Sequence, residues 1–157
     1  MRWLRWLALL IGFLACLAPM AHLLELPNKL RLNGPLWLAV QQNLYNGWGP
    51  VIGAPTEICG LIISLVLLAA NRRRQRLALL FGLAAVFYFG MLLTFFLLNA
   101  PVNEAVNTWT PATLPADWAS YRLRWETGHA LAAMFALLGL AAVGSATLIS
   151  EISQQGE

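Results

Sequence analysis

Charged residues are scarce in this chain. They make up 11% of it, about half the fraction usual in a soluble domain, while 59% of the residues are hydrophobic. Four apolar runs and their short connections take up nearly the whole length, so no room remains for a soluble domain. Binding or catalysis must therefore take place in or beside a membrane. The two cysteines, Cys16 and Cys59, allow at most one disulfide or redox pair. They fall at similar depth on neighbouring runs, and the simpler reading makes both small packing residues in apolar helices. No internal repeat is evident. The spans carry charge toward one end only, which denies a transporter any polar path through the membrane unless the chain forms a homo-oligomer.

The apolar runs cover roughly residues 6–24, 51–70, 77–98 and 130–149. A span needs about 20 apolar residues to cover a hydrocarbon core of about 30 Å. The sequence thus predicts an all-α protein, a single integral membrane domain over residues 1–157 built as a four-transmembrane-helix bundle in the lipid bilayer. The net charge of +3 is localised: Arg72, Arg73, Arg74 and Arg76 share one short loop. That is a topology signal rather than a nucleic-acid patch, so no nucleic-acid partner is expected. The positive-inside rule places this loop and the Arg2/Arg5 segment in the cytoplasm. Both termini are then cytoplasmic, segments 25–50 and 99–128 face outward, and a bacterial inner membrane is the expected location. Arg2, Arg5 and the apolar core ending in Ala18-Pro19-Met20-Ala21 have the outline of a signal peptide. The run nevertheless continues past Cys16 without a polar mature start, so retention is expected.

Pro27 is expected to end the first helix. Pro35 to Tyr45 reads as a short interfacial helix in the first outer loop, broken by Asn46-Gly47-Trp48-Gly49-Pro50. The 71–76 connection is tight and makes spans two and three an antiparallel hairpin. In the second outer loop, Asp117 is a plausible N-cap for a helix running through Tyr121 and Arg124 into span four. Seven tryptophans, Trp3, Trp6, Trp37, Trp48, Trp109, Trp118 and Trp125, fall near span boundaries, and an aromatic belt explains most of them.

The unusual polar residues gather at one end of the runs. Both histidines lie there. His22 ends span one with Glu25 three residues on, and His129 opens span four with Glu126 three residues before it. Three-residue spacing puts each pair on one helix face. Glu57 lies about 10 Å into span two by helical rise, where an isolated carboxylate is expensive and needs a partner, a proton or a metal. It is expected to face inward and pair with His22, His129 or an ion. Asn99 and Asn103 share a face of span three, and Arg122 belongs to a polar-aromatic stripe with Trp118, Trp125 and His129. This follows the logic of four-helix carboxylate metal sites. His22, Glu25, Glu57, Glu126 and His129 are the candidate ligands for a transition metal: iron, copper, manganese or zinc. Solvated helix ends for Glu25, Lys29 and Arg31, an Arg122–Glu126 pair and interhelical hydrogen bonds from Asn99 and Asn103 are the plainer reading.

Asn99-Ala-Pro-Val-Asn103-Glu-Ala-Val-Asn107-Thr-Trp109, then Asp117-Trp118, then Arg122-Leu-Arg124-Trp125-Glu126-Thr-Gly-His129 resembles the signature of the anthrone oxygenase-like family of small four-helix membrane proteins. His22-Leu-Leu-Glu25-Leu-Pro27-Asn-Lys29 resembles the end of that family's first helix. Many of its members are uncharacterised bacterial proteins. The characterised fungal branch oxidises polyketide anthrones to anthraquinones with molecular oxygen and without an added cofactor. The resemblance implies an O2-dependent monooxygenase acting on a lipophilic aromatic, anthrone- or quinone-like small molecule. Glu57 or His129 would be the base, and Asn103 or Arg122 would steady the enolate oxygen. Trp118 and Trp125 would stack on a flat ring. A metal that activates oxygen is a second route. The alternative is a non-enzymatic membrane protein that binds a small molecule or packs as a subunit of a membrane complex.

Overall fold

The computed structural model describes residues 1–155 and is all-helical, with no strand among them. Helix α1 spans Arg2–Lys29 and α2 spans Gly34–Asn43. A π-helical turn at Gly49–Gly53 leads into α3, Ala54–Ala70. Helix α4, Gln75–Thr94, passes through a second π-helical turn, Phe95–Asn99, into α5, Ala100–Val106. Helix α6 runs Trp118–Gln155 and begins directly after Asp117. Four of these stretches are long and apolar enough to cross a membrane, which fits an integral membrane protein. The last two residues of the sequence, part of the expected cytoplasmic tail, lie outside the described residues.

The long helices form a ring in which α1 packs on α3 and α6, and α4 packs on the same two neighbours. Small side chains line the inside, among them Ala8, Ala15, Ala84, Ala136 and Ala146, while Leu10, Phe13, Ile62, Val86 and Phe89 point outward and are exposed. This distribution suits lipid, where close backbone approach rather than hydrophobic exclusion holds helices together. Tyr88 of α4 reaches across the bundle centre. A Cβ added to Gly60 or Gly139 would come within 3.0–3.1 Å of its ring, and one added to Gly12 within 2.6 Å of its hydroxyl. Three other helices thus give up their side chains to admit one ring.

The α3–α4 connection is a tight hairpin, as expected, with the Arg74 N–H donating to the Asn71 carbonyl at 2.7 Å. At that end of the bundle Arg5 of α1 is buried and pairs with Glu151 of α6 at 2.9 Å. The opposite end is capped by α2, α5 and the loop between α5 and α6. The Asn33 side chain caps α2 by accepting from Leu36 N–H at 3.1 Å, and Pro35 sits in its first turn. Gln42 ties α2 to that loop by donating to the Val106 and Trp109 carbonyls at 2.8 and 2.9 Å.

Two expectations need correction. Helix α1 does not end at Pro27 but continues to Lys29. Proline removes one intrahelical hydrogen bond, and here the following turn is held from outside. Arg122 donates to the Lys29 and Leu32 carbonyls at 3.3 and 3.0 Å, satisfying groups that a helix end leaves open. The tryptophans are also not one belt. Trp3 and Trp6 are exposed, but Trp37 and Trp125 are buried and form the centre of the cap with Leu38, Tyr45, Val102 and Val106.

Candidate functional site

Beneath this cap, α1 and α6 bring the two histidines together. Their ring centroids are 4.1 Å apart. His22 is buried, and three more rings close around it: Tyr45 at 4.5 Å, Trp125 at 4.7 Å and Trp48 at 5.5 Å between centroids. Its Nδ1 atom is shut away from solvent without a hydrogen-bond partner. The Glu25 carboxylate, one turn on, stops 3.9 Å from that nitrogen. Glu25 instead accepts a 2.5 Å hydrogen bond from the Tyr45 hydroxyl.

His129 has a different environment, set by the π-helical turn at the end of α4. The extra residue in that turn buries Asn99 against α6. The Asn99 amide nitrogen donates to the Trp125 carbonyl at 2.9 Å and meets His129 Nδ1 at 2.8 Å. The carbonyl accepts only, so it fixes which end of the amide is nitrogen, and the second N–H then points at the imidazole. His129 Nδ1 is therefore an acceptor, and its neutral ring carries the proton on Nε2. Gly128 makes this contact possible, since a Cβ there would run into the Asn99 amide. Asn103 holds the same tryptophan from the other side by accepting from Trp125 Nε1 at 2.8 Å.

Lys29 completes the site. It is the only lysine in the chain and is 3% exposed. Its ammonium lies 2.8 Å from Glu126 Oε2, with both side chains 4% exposed. It also lies over the Trp125 and Tyr45 rings, 4.9 and 5.5 Å from their centroids. Lys29 and His22 thus share two walls. The other oxygen of Glu126 is buried without a partner. Burial and the hydrogen bond to Glu25, reinforced by the charges of Glu25 and Glu126, push the Tyr45 phenol well above its ordinary pKa.

Of the residues singled out from sequence, His22, Glu25, Glu126 and His129 gather here with Asn103 at the edge. Glu57 does not join them. It is half-buried, and no hydrogen bond or ion pair links it to His22, His129 or any other described residue. Neither histidine pairs with it. Arg122 stacks on Trp118 at 4.7 Å and uses its donors on the end of α1, so it supports the site from outside. Glu126 pairs with Lys29 rather than with Arg122. The residues that sequence reasoning passed over are Lys29, Tyr45 and Trp48.

The donors do not fit a resident transition metal. Among the described residues no three His, Cys, Asp or Glu side chains are placed to share an ion. An imidazole that ligates through Nε2 carries its proton on Nδ1 and needs an acceptor there, whereas Asn99 presents a donor to His129. Lys29 already supplies the cation that Glu126 requires. The arrangement provides instead an unpartnered imidazole nitrogen, a second imidazole held as an Nε2–H donor, and a buried ammonium, all walled by aromatic rings.

Comparison with known proteins gives a family. No curated protein and no solved structure matches the chain. Residues 43–142 match the profile of the anthrone oxygenase family. That stretch carries Tyr45, Trp48, Asn99, Trp125, Glu126 and His129, while His22, Glu25 and Lys29 lie on α1 before it. With well over half of its length matched, the chain belongs to the anthrone oxygenase family.

Proposed function

We propose that the protein is a membrane-embedded oxygenase that oxidises a lipophilic aromatic molecule of the anthrone type at the His22–His129 site. The observation that carries this reading is the pairing of an orphaned buried nitrogen, His22 Nδ1, with a buried ammonium across shared aromatic walls. An anthrone has an acidic methylene beside a carbonyl-conjugated ring. Its conversion to a quinone follows CH2 + O2 → C=O + H2O, which balances without a further reductant.

His22 serves as the base that removes the first methylene proton. The resulting enolate passes an electron to dioxygen, and the radical pair combines to a peroxide on the former methylene carbon. Negative charge builds up on oxygen in these steps, and the Lys29 ammonium offsets it in a site closed to water. The proton held by His22 returns to give the hydroperoxide. Removal of the remaining C–H proton expels hydroxide as the O–O bond breaks, and the hydroxide recovers a proton as water. His129, kept as an Nε2–H donor by Asn99, hydrogen-bonds to a substrate oxygen. Trp125 and Tyr45 supply flat walls. The arginines at one end of the bundle support a topology with that end and both termini in the cytoplasm, and an outer position for the site, in a bacterial inner membrane.

The test is oxygen uptake by the purified protein with 1,8-dihydroxyanthrone, followed together with quinone absorbance. One O2 consumed per quinone formed, lost in His22→Gln and in the His22→Ala/His129→Ala pair, is the expected result. Unchanged activity in the double variant would sink the proposal. Tight binding of the anthrone with no oxygen uptake by the wild type would instead establish the binding-protein reading.

A further inference from the structure

Four rings pack around His22 and the Glu25 carboxylate lies 3.9 Å from its Nδ1, so a substrate has to displace one of these groups to reach it. Of these four rings Trp48 and His129 are partly exposed, and Trp48 is the one that also lines a groove. Trp48 packs against His22 on one side and on the other lines a lateral groove of about 530 Å³ between α1 and the start of span two. That volume is within the range of small-molecule sites, about 300–1,000 Å³. Its floor is Leu17, Ala18 and Ala21, the turn of α1 just before His22, and its far wall is Val51 and Ile52. Ala18 and Ala21 are the small residues of that floor. Asn46 contributes the one polar side chain of the lining. Trp48 also stands between two glycines. Gly47 has φ +88°, a conformation other residues rarely adopt, and neither Gly47 nor Gly49 has anything within 4 Å of where a Cβ would be. The backbone on both sides of the indole is thus free of side-chain obstruction.

From this geometry we infer that the Leu17–Ala21 groove is the docking site of the lipophilic aromatic substrate, and that Trp48 is the partition which swings aside to pass it to His22. The inference rests on the proposed oxidation and adds the route and the recognition elements. The occupant is a flat ring system bearing a carbonyl or phenol. The ring stacks between the indole and the alanine floor, and the oxygen meets the Asn46 amide. A larger groove between α3 and α4, about 800 Å³, is lined by Leu61, Leu65, Ala78, Leu79, Val86 and Phe89, has no polar side chain and touches none of the site residues, as befits a lipid tail.

The experiment measures binding of 1,8-dihydroxyanthraquinone, the reaction product, to full-length protein in nanodiscs, by quenching of tryptophan fluorescence. Ala18→Leu fills the groove and is expected to weaken binding roughly tenfold or more, whereas Ala78→Leu in the larger groove leaves it unchanged. Asn46→Leu, on an exposed turn, provides a second variant should Ala18→Leu fold poorly. It is expected to weaken binding of the hydroxylated quinone but not of plain anthracene. Trp48→Ala should speed association. Wild-type affinity in both Ala18→Leu and Asn46→Leu would overturn the inference. So would a loss of co-purifying phospholipid in Ala18→Leu with quinone affinity intact, which would make the occupant an acyl chain. Groove-dependent binding in a protein that consumes no oxygen would leave the docking site standing and remove the oxidation.

Discussion

Lys29→Met tests whether the buried ion pair organises the site. Lys29 and Glu126 come from the two helices that carry the histidines, meet at 2.8 Å and are each 4% exposed. Methionine keeps the length of the lysine stem but removes the charge. Glu126 would then be left in an apolar surround with neither oxygen paired, because its Oε1 has no partner to begin with. Breaking a buried pair in this way costs about 3–5 kcal/mol, whereas a solvated pair contributes roughly 0–1 kcal/mol. Glu126→Gln should be less severe, since the amide still accepts from Lys29. In Lys29→Met/Glu126→Leu no buried charge remains, and stability should return to within about 2 kcal/mol of wild type. Unfolding of the detergent-purified protein in SDS, run as a double-mutant cycle, measures all of these. A Lys29→Met variant within about 1 kcal/mol of wild type would refute the reasoning, because the pair would then behave as a solvated one. The double variant also separates structure from chemistry. It should fold but fail to consume oxygen with an anthrone, and full activity would show that the ammonium does no more than neutralise Glu126.

Gly128→Ala should displace the Asn99 amide and release His129 Nδ1. A loss of about 1–3 kcal/mol is expected from overpacking, together with loss of oxygen uptake, and retention of both in thermal melts and uptake assays would remove Asn99 from the argument. Tyr45 has a folded-state pKa above its unfolded one, so its contribution to stability is present below about pH 10 and falls as pH rises further. Tyr45→Phe should flatten that alkaline loss in unfolding curves taken from pH 8 to 11, and a profile identical to wild type would contradict the assigned cause. Cysteines introduced at Asn33 and Ala112 should react with an impermeant thiol reagent in intact cells while Arg74→Cys does not. The reverse pattern would invert the topology.

The fold was legible because the bilayer constrains it so heavily. Length of apolar run, a four-arginine turn and the proline at position 35 were enough for the bundle, the hairpin and α2. The gathering of polar residues at one end of the bundle was legible, and His22, Glu25, Glu126 and His129 do meet there. It was not legible in its pairings. Spacing of three residues puts His22 with Glu25 and Glu126 with His129 on common faces, but a face is not a partner. Glu25 turns to Tyr45, Glu126 to Lys29 and His129 to Asn99, each on a different helix or loop. The two π-helical turns compound this. Each inserts a residue at the site end of a span, so a 3.6-residue count carried along span two or span three points the wrong way by the time it reaches the cap.

Lys29 illustrates the deeper ambiguity. Two carboxylates and two imidazoles at the ends of packed helices require positive charge, and a metal ion and an ammonium answer that requirement equally well on electrostatic grounds. What separates them is reach. A helical side chain leans toward the N-terminus of its own helix, so a lysine two turns beyond His22 extends back over the rings that wall the histidine, whereas its Cα alone suggests a solvated helix end. A signal for this was present: nine of the ten basic residues are arginine, and the single lysine falls two turns after His22. Lysine is the cation whose compact charge and single flexible stem fit a narrow aromatic box, where a forked guanidinium would demand several acceptors. Arginine serves outside that box, at Arg122, where two backbone carbonyls await it. The division of labour between the two cation types therefore marks the boundary between the buried interior of the candidate site and the frame that holds it.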